Sequence, residues 1–305
     1  MTTTTLITRR DFRFAMSLRV RWAEVDMQKT VFNAHCLMYF DTALADYWRA
    51  LALPYEASLQ QLDGDLVVKK ASLDFFSSAR YDDLLEVGLK CSRVGNSSLA
   101  FTGAIFRGDE LLVSSDLVYV FVKPSPLGAK SPQVSRTVPN ALRDVLQAFA
   151  AGEAMTHTVL GDWAALGEGA SQVRQDVFVH EQRIPKELAW DDADLTAVHA
   201  LARNRLDMPL ATGRLLQHAP GVGRIGRMAV NRVLRGVSLG RDILQALIDA
   251  SQRRGDEEVM LHAQRSAEGF YARLGFVARG EPFEEAGIAH IEMTRSLTTP
   301  PTHQN

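Results

Sequence analysis

Arg235-Gly236-Val237-Ser238-Leu239-Gly240 runs into the apolar Ile243, Leu244, Leu247 and Ile248 and is followed by Phe270-Tyr271-Ala272-Arg273-Leu274-Gly275-Phe276. The fold of the chain is decided in this stretch. Apolar residues at i, i+1, i+4 and i+5 lie on one face of a helix. A Gly-rich turn at the start of such a helix offers free backbone N–H groups and the positive end of the helix dipole, which together bind a pyrophosphate. The ligand this implies is coenzyme A or a nucleotide.

Working outward, Ile225-Gly226-Arg227-Met228-Ala229-Val230 reads as a strand before the turn, and Val259-Met260-Leu261-His262-Ala263 as a strand after the helix. The order is then strand, turn, helix, strand, helix. In this order the segment resembles the GNAT family of acyl-CoA-dependent N-acetyltransferases over residues 155–297. The resemblance takes in Val177-Phe178-Val179-His180-Glu181-Gln182-Arg183-Ile184-Pro185, with Asp191, Asp192, Asp194 and His199 behind it. It implies an α/β acyltransferase fold that takes acetyl-CoA as substrate and an amine as acceptor. Met228, Val230 and the turn Arg235, Gly236, Val237, Ser238, Leu239, Gly240 and Arg241 correspond to acetyl and pyrophosphate contacts, largely through backbone. Ser238 stands where most of the family has glycine.

Acetyl transfer needs a polarised thioester carbonyl, a neutral amine and a proton for the departing thiolate. The resemblance assigns the last task to Tyr271. Glu181, His180 and His262 remain open as the amine's base, with His290 and Trp190 placed beside the acceptor. The acidic run Asp191-Asp192-Ala193-Asp194 with His199 has no second His at ligand spacing, so no metal is expected.

The first half of the chain has a different pattern. Ser17 to Trp22 alternates as a strand, residues 33–52 carry apolar residues at helical spacing, and five further stretches between Leu66 and Val122 read as strands. Gly95-Asn96 and Gly108-Asp109 supply turns, Lys123 to Pro139 is a Pro-rich loop, and residues 140–149 form a short helix. One helix among many strands is the pattern of a hot-dog fold, an antiparallel sheet curled around a central helix.

The residues resemble the 4-hydroxybenzoyl-CoA thioesterase-like group of that fold over residues 14–150. They include Arg19 to Gln28, Val31-Phe32-Asn33-Ala34-His35, Ala71-Ser72-Leu73-Asp74-Phe75, Ala79-Arg80-Tyr81-Asp82-Asp83 and Gly95 to Leu99. The resemblance makes Asp26 the catalytic carboxylate, acting as nucleophile or as base for a water. It makes the helix start at Asn33 the electrophilic element, through N–H groups aimed at the developing oxyanion. His35 is a candidate for orienting substrate or Asp26, and Glu24 reads as a solvated or salt-bridged residue. Lys29 and Cys36 depart from the family's Gly and Tyr.

The 305 residues are 46% hydrophobic and 23% charged with a net charge of −2, balanced in both halves, which fits two globular domains and argues against a nucleic-acid partner. No apolar run approaches the roughly 20 residues of a membrane span, and no secretory h-region or disulfide framework is indicated by a chain with only Cys36 and Cys91. The expected location is the cytoplasm.

The α+β two-domain chain therefore divides into a flexible tail at 1–13, a hot-dog thioesterase domain at 14–150, a GNAT acetyltransferase domain at 155–297 and a tail at 298–305. The combined expectation is a bifunctional acyl-CoA enzyme. The alternative is an acetyltransferase with a catalytically silent hot-dog module for oligomerisation or CoA binding. The thioesterase resemblance also implies a homodimer or homotetramer.

Overall fold

A six-residue strand, β1 (Phe14–Arg19), leads through a loop into the 18-residue helix α1 (Asn33–Ala50) in the computed structural model, which describes residues 7–124 and 133–298. There follow α2 (Tyr55–Gln61), β2 (Asp65–Phe75), β3 (Leu84–Val94), β4 (Ser98–Arg107), β5 (Glu110–Val122) and α3 (Asn140–Ala150). The strands form an antiparallel sheet in the order β1-β3-β4-β5-β2.

Helix α1 buries Tyr39, Phe40, Ala43, Leu44, Tyr47 and Trp48, a stripe at helical spacing. Gly103 lets the helix come close to the sheet: a Cβ there would lie 2.6 Å from the Phe40 ring. This is the hot-dog arrangement.

Three details of this unit differ from the sequence expectation. Phe12, expected within a flexible tail over 1–13, is 3% exposed and packs edge-on to Phe106 at 5.9 Å, over Gly88, where a Cβ would strike its ring. Residues 1–6 of the first expected tail and 299–305 of the second lie outside the described residues, as does the centre of the Pro-rich loop at 125–132. Strand β1 ends at Arg19, and the chain then makes a 3-10 turn, Trp22–Glu24, closed by the Glu24 carboxylate on the Arg21 N–H. Finally, the two strands expected at 66–68 and 71–76 are one, β2, with a register shift between Val68 and Lys70.

The second unit begins at Thr156. Its elements are β6 (Thr156–Gly161), α4 (Trp163–Arg174), a π-helical turn (Gln175–Glu181), α5 (Lys186–Ala189), β7 (Val198–Asn204), β8 (Pro209–Ala219), β9 (Val222–Val230), α6 (Leu239–Arg254), β10 (Glu258–Gln264), α7 (Glu268–Ala272), β11 (Val277–Glu285) and β12 (Ile288–Ser296). The seven strands run β11-β12-β10-β9-β8-β7-β6, and β9 with β10 is the parallel pair. Leu166 and Val173 of α4 pack with Leu201 and Ala229, while Ile243 and Leu247 of α6 lie against Gly213. Thr212, which pairs with both Leu201 and Ala229, precedes Gly213 on β8, so the two helices cover opposite faces of the sheet.

What positions the site is a failure of strand pairing. The β9–β10 register covers only Val222, Gly223 and Arg224 against Glu258, Val259 and Met260. Beyond Arg224 the β8–β9 register shifts, and Arg227 adopts the left-handed conformation with φ 53°. An extra residue of this kind bends its strand and sharpens its twist. The bend carries β9 away from β10, and a cleft opens between them.

Candidate functional sites

In the first unit, Asp26 sits in the loop before α1. Its N–H donates to Thr30 O at 2.9 Å, and its carboxylate accepts the Gln28 N–H at 2.8 Å. Lys29, at φ 63°, occupies the conformation that the expected glycine adopts without strain. Glu24 is buried and accepts from the Arg21 N–H at 2.8 Å, the Arg21 guanidinium and the Tyr39 hydroxyl at 2.7 Å. Burial by itself would raise its carboxyl, but the hydrogen bonds from Arg21 and Tyr39 outweigh burial and hold it low. Glu24 is thus an ion-paired structural carboxylate.

A cleft of about 280 Å³ lies beside the start of α1, lined by Asn33, Cys36, Tyr39, Phe76, Ala79 and Leu112 among others. Asn33 heads the helix, where N–H groups precede the intrahelical ladder. Asp26 and His35 are not part of this lining; the His35 ring lies edge-on to Phe32 at 6.2 Å. Burial pushes the Cys36 thiol up to about 11, so it stays protonated and serves as packing.

In the second unit, the cleft between β9 and β10 measures about 430 Å³ and takes in Met228, Tyr271, Arg224, His262, Glu285 and His290. Tyr271 is on the five-residue α7, 8% exposed, with Phe270 and Phe276 edge-on to its ring at 5.0 and 5.9 Å. Burial raises its phenol to about 12, so it carries its proton at neutral pH.

The Gly-rich turn stands at the start of α6. Gly236 and Ser238 both have positive φ, at 92° and 71°, and the first helical bond runs from the Asp242 N–H to Ser238 O at 3.0 Å. The N–H groups of Leu239, Gly240 and Arg241 precede that bond and suit an anion. Val230 lies against Gly240, where a Cβ would be 3.5 Å from its side chain. Val237 is 38% exposed on the turn.

The proposed bases separate. His262 lines the cleft, whereas Glu181 and His180 belong to a different, open depression with Asp176 and Arg183. Both oxygens of Glu181 are held by Arg235 at 2.7 Å. Trp190 is not at the cleft; its indole N–H donates to the Ser171 hydroxyl at 3.0 Å.

The acidic run that resembles a metal site is an ion-pair network. Arg214 bridges Asp191 and Asp194, Arg174 binds Asp194 at 2.8 Å, and Arg227 binds Asp191 at 2.8 Å. The His199 Nε2–H donates to Asp194 O at 2.9 Å, and burial keeps that ring neutral. Sequence reasoning missed these arginines and Glu285. Asp194, being buried, demands cations, but nothing local says which arginines answer.

The family model for the acetyltransferase (GNAT) domain matches residues 178–297, and that for the thioesterase superfamily matches residues 28–114. The uncharacterized N-acetyltransferase YjcF of Bacillus subtilis is 32% identical over 127 residues, 41% of this chain and 89% of the relative. Protein ElaA of Escherichia coli is 32% identical over 130 residues, 41% of this chain and 84% of the relative. Among solved structures, Slr0204, a 1,4-dihydroxy-2-naphthoyl-CoA thioesterase from Synechocystis, is 19% identical and covers 44% of this chain and 95% of its own, with a TM-score of 0.39. The chain belongs to the GNAT acetyltransferase family, with a thioesterase-superfamily domain fused ahead of the GNAT domain. Among the described residues there is no helix long and apolar enough to cross a membrane and no metal-binding group of His, Cys, Asp or Glu.

Proposed function

We propose that the chain is a bifunctional acyl-CoA enzyme, transferring acetyl from acetyl-CoA to an amine in its second unit and hydrolysing acyl-CoA thioesters in its first. The observation that carries the transferase reading is the protonated Tyr271 phenol lining the same cleft as Met228, where β9 leaves β10. The N–H groups at the start of α6 take the pyrophosphate, and the bulged backbone of β9 offers donors to the thioester oxygen. The amine attacks the carbonyl carbon, the C–S bond breaks, and Tyr271 gives its proton to the leaving thiolate.

For hydrolysis, Asp26 activates a water or attacks directly, and the Asn33 N–H receives the oxyanion beside the apolar cleft. Pairing through a second copy of the chain suits this unit, because β2 is an edge strand that exposes Val68 and Phe75. The reading therefore includes a homodimer or homotetramer, with a mass by light scattering at a multiple of 33.7 kDa. The free thiols Cys36 and Cys91 suit the reducing cytoplasm. The second reading, a silent thioesterase-like module serving the transferase, is favoured by one fact: Asp26 is not in the lining of the cleft of its own chain.

The test is thiol release from acetyl-, medium-chain, long-chain and aromatic acyl-CoAs without amine, in wild type, Asp26→Asn and Tyr271→Phe. Release lost only in Asp26→Asn supports hydrolysis at the first unit. No release from any of them supports the silent module, and amine-dependent release from acetyl-CoA then tests the transferase alone.

A further inference from the structure

Resting on the transferase reading above, we propose that the acceptor amine carries a carboxylate, held by Arg224, while His262, oriented by Glu285, takes the amine proton. His262 Nδ1 is 3.0 Å from Glu285 Oε2 and 3.3 Å from Arg224 Nη2. One imidazole nitrogen carries either a hydrogen or a lone pair, whereas a guanidinium only donates and a carboxylate only accepts. The shorter, charge-assisted contact places the hydrogen on Nδ1, directed at Glu285. Nε2 then holds the lone pair, and Arg224 keeps its donors. Phe283 fixes the imidazole, its ring edge-on to His262 at 4.8 Å and stacked with His290 at 6.1 Å.

The charges of the cleft point to the same ligand. Three arginines line it, Arg214, Arg224 and Arg227, against two carboxylates, Asp191 and Glu285. Asp191 is engaged by Arg214 and Arg227, and Glu285 by His262. Among the described residues Arg224 has no carboxylate within 4 Å, and the buried Nε atoms of Arg214 and Arg227 have no hydrogen-bond partner. The cleft thus holds one cation more than anions. A planar guanidinium with unengaged donors recognises a carboxylate in preference to a neutral group.

Arg224 is also the last β9 residue in register with β10, so it stands where the cleft begins, on the strand facing His262. In the reaction the amine nitrogen bonds to the acetyl carbon and the C–S bond breaks. His262 Nε2 accepts the nitrogen's proton, and Tyr271 supplies the thiolate's proton. Returning the His262 proton through solvent to the tyrosinate restores both groups.

The experiment uses the full chain with acetyl-CoA and matched primary amines, 4-aminobutyrate against butylamine, 6-aminohexanoate against hexylamine, and alanine against alaninamide, followed by thiol release. The proposal expects at least one carboxylated member to be preferred about 10–100-fold in kcat/KM, the range of a charge-assisted contact. Arg224→Gln removes that preference chiefly through KM, Arg224→Lys restores part of it, and His262→Gln lowers kcat. Equal use of both members of every pair, with transfer intact, overturns the carboxylate and leaves the transferase reading standing. The same holds if Arg224→Gln weakens acetyl-CoA binding as much as it raises the amine's KM, since Arg224 would then serve a CoA phosphate. Absence of transfer to every amine, with no acetyl-CoA binding by calorimetry, overturns both.

Discussion

Both terminal guanidinium nitrogens of Arg235 lie 2.7 Å from the two carboxylate oxygens of Glu181, so the first residue of the Gly-rich turn is clamped to the end of the π-helical turn. The same guanidinium donates from Nε to Val230 O at 3.2 Å. A phosphate arriving at the turn competes with Glu181 for Arg235. Exposed pairs of this kind contribute about 0.2–1 kcal/mol. Glu181→Gln is therefore expected to tighten CoA binding about 2–5-fold, and Arg235→Met to weaken it, both read by titration calorimetry. Unchanged affinity in Glu181→Gln would mean that Arg235 never leaves its partner.

Lys29 and Ser238 share a left-handed backbone conformation. Both stand where the resembled families have glycine, and both have positive φ, 63° and 71°. A left-handed non-glycine residue costs about 1–2 kcal/mol, while a glycine adds about 0.5–1 kcal/mol of chain entropy to overcome on folding. Strain wins by a small margin. Lys29→Gly and Ser238→Gly are each expected to raise the melting midpoint of their own unit, and a fall in either by calorimetry would count against a strained turn.

What the sequence made legible follows from how local each signal is. The stripes of α1 and α6 and the turn before α6 are written in neighbouring residues, and they appear where the periodicity puts them. The short α2 carries little periodic signal, and β2 reads as two strands because Lys69 and Lys70 interrupt its apolar residues at the register shift. The cleft at β9 was not legible at all. Its cause is a register shift between β8 and β9 with Arg227 at positive φ, and register is a property of paired strands. For the same reason the partners of the acidic run are not legible locally: the cations that answer it, Arg174, Arg214 and Arg227, come from α4, β8 and β9.

That network makes a stability prediction. Asp194 is 2% exposed and binds both Arg174, fully buried, and Arg214. Removing one partner of such a set leaves a buried charge uncompensated, so Asp194→Asn is expected to destabilise the second unit by about 3–5 kcal/mol. Urea unfolding followed by tryptophan fluorescence checks it, and a change below about 1 kcal/mol would place the network in water.

The partner Asp191 adds a pH window. Hydrogen bonds from Arg214 lower its carboxyl from 3.8 to about 2. A folded value below the unfolded one means that the stabilisation is complete above about pH 4 and is lost as pH falls through about 2. The difference in urea midpoint between wild type and Asp191→Asn should hold from neutral pH to about pH 4, then shrink toward zero. A difference that persists at the acid end would show that Asp191 acts there through packing alone.

Tyr271 gives the most direct check on the chemistry. Burial holds its phenol at about 12, against an ordinary 10.0, so the group remains a proton donor from neutral pH to well above the ordinary phenol range. Subtracting the ultraviolet alkaline titration of Tyr271→Phe from that of wild type should show no tyrosinate from this residue up to about pH 11. In the same variant, amine-dependent turnover is expected to fall about 10²–10⁴-fold, the contribution of a positioned general acid. The aromatic contacts with Phe270 and Phe276 are available to a phenylalanine, so folding should survive. Tyrosinate appearing near pH 10, or turnover undiminished in the variant, would remove Tyr271 from the reaction and leave it as a packed ring of α7.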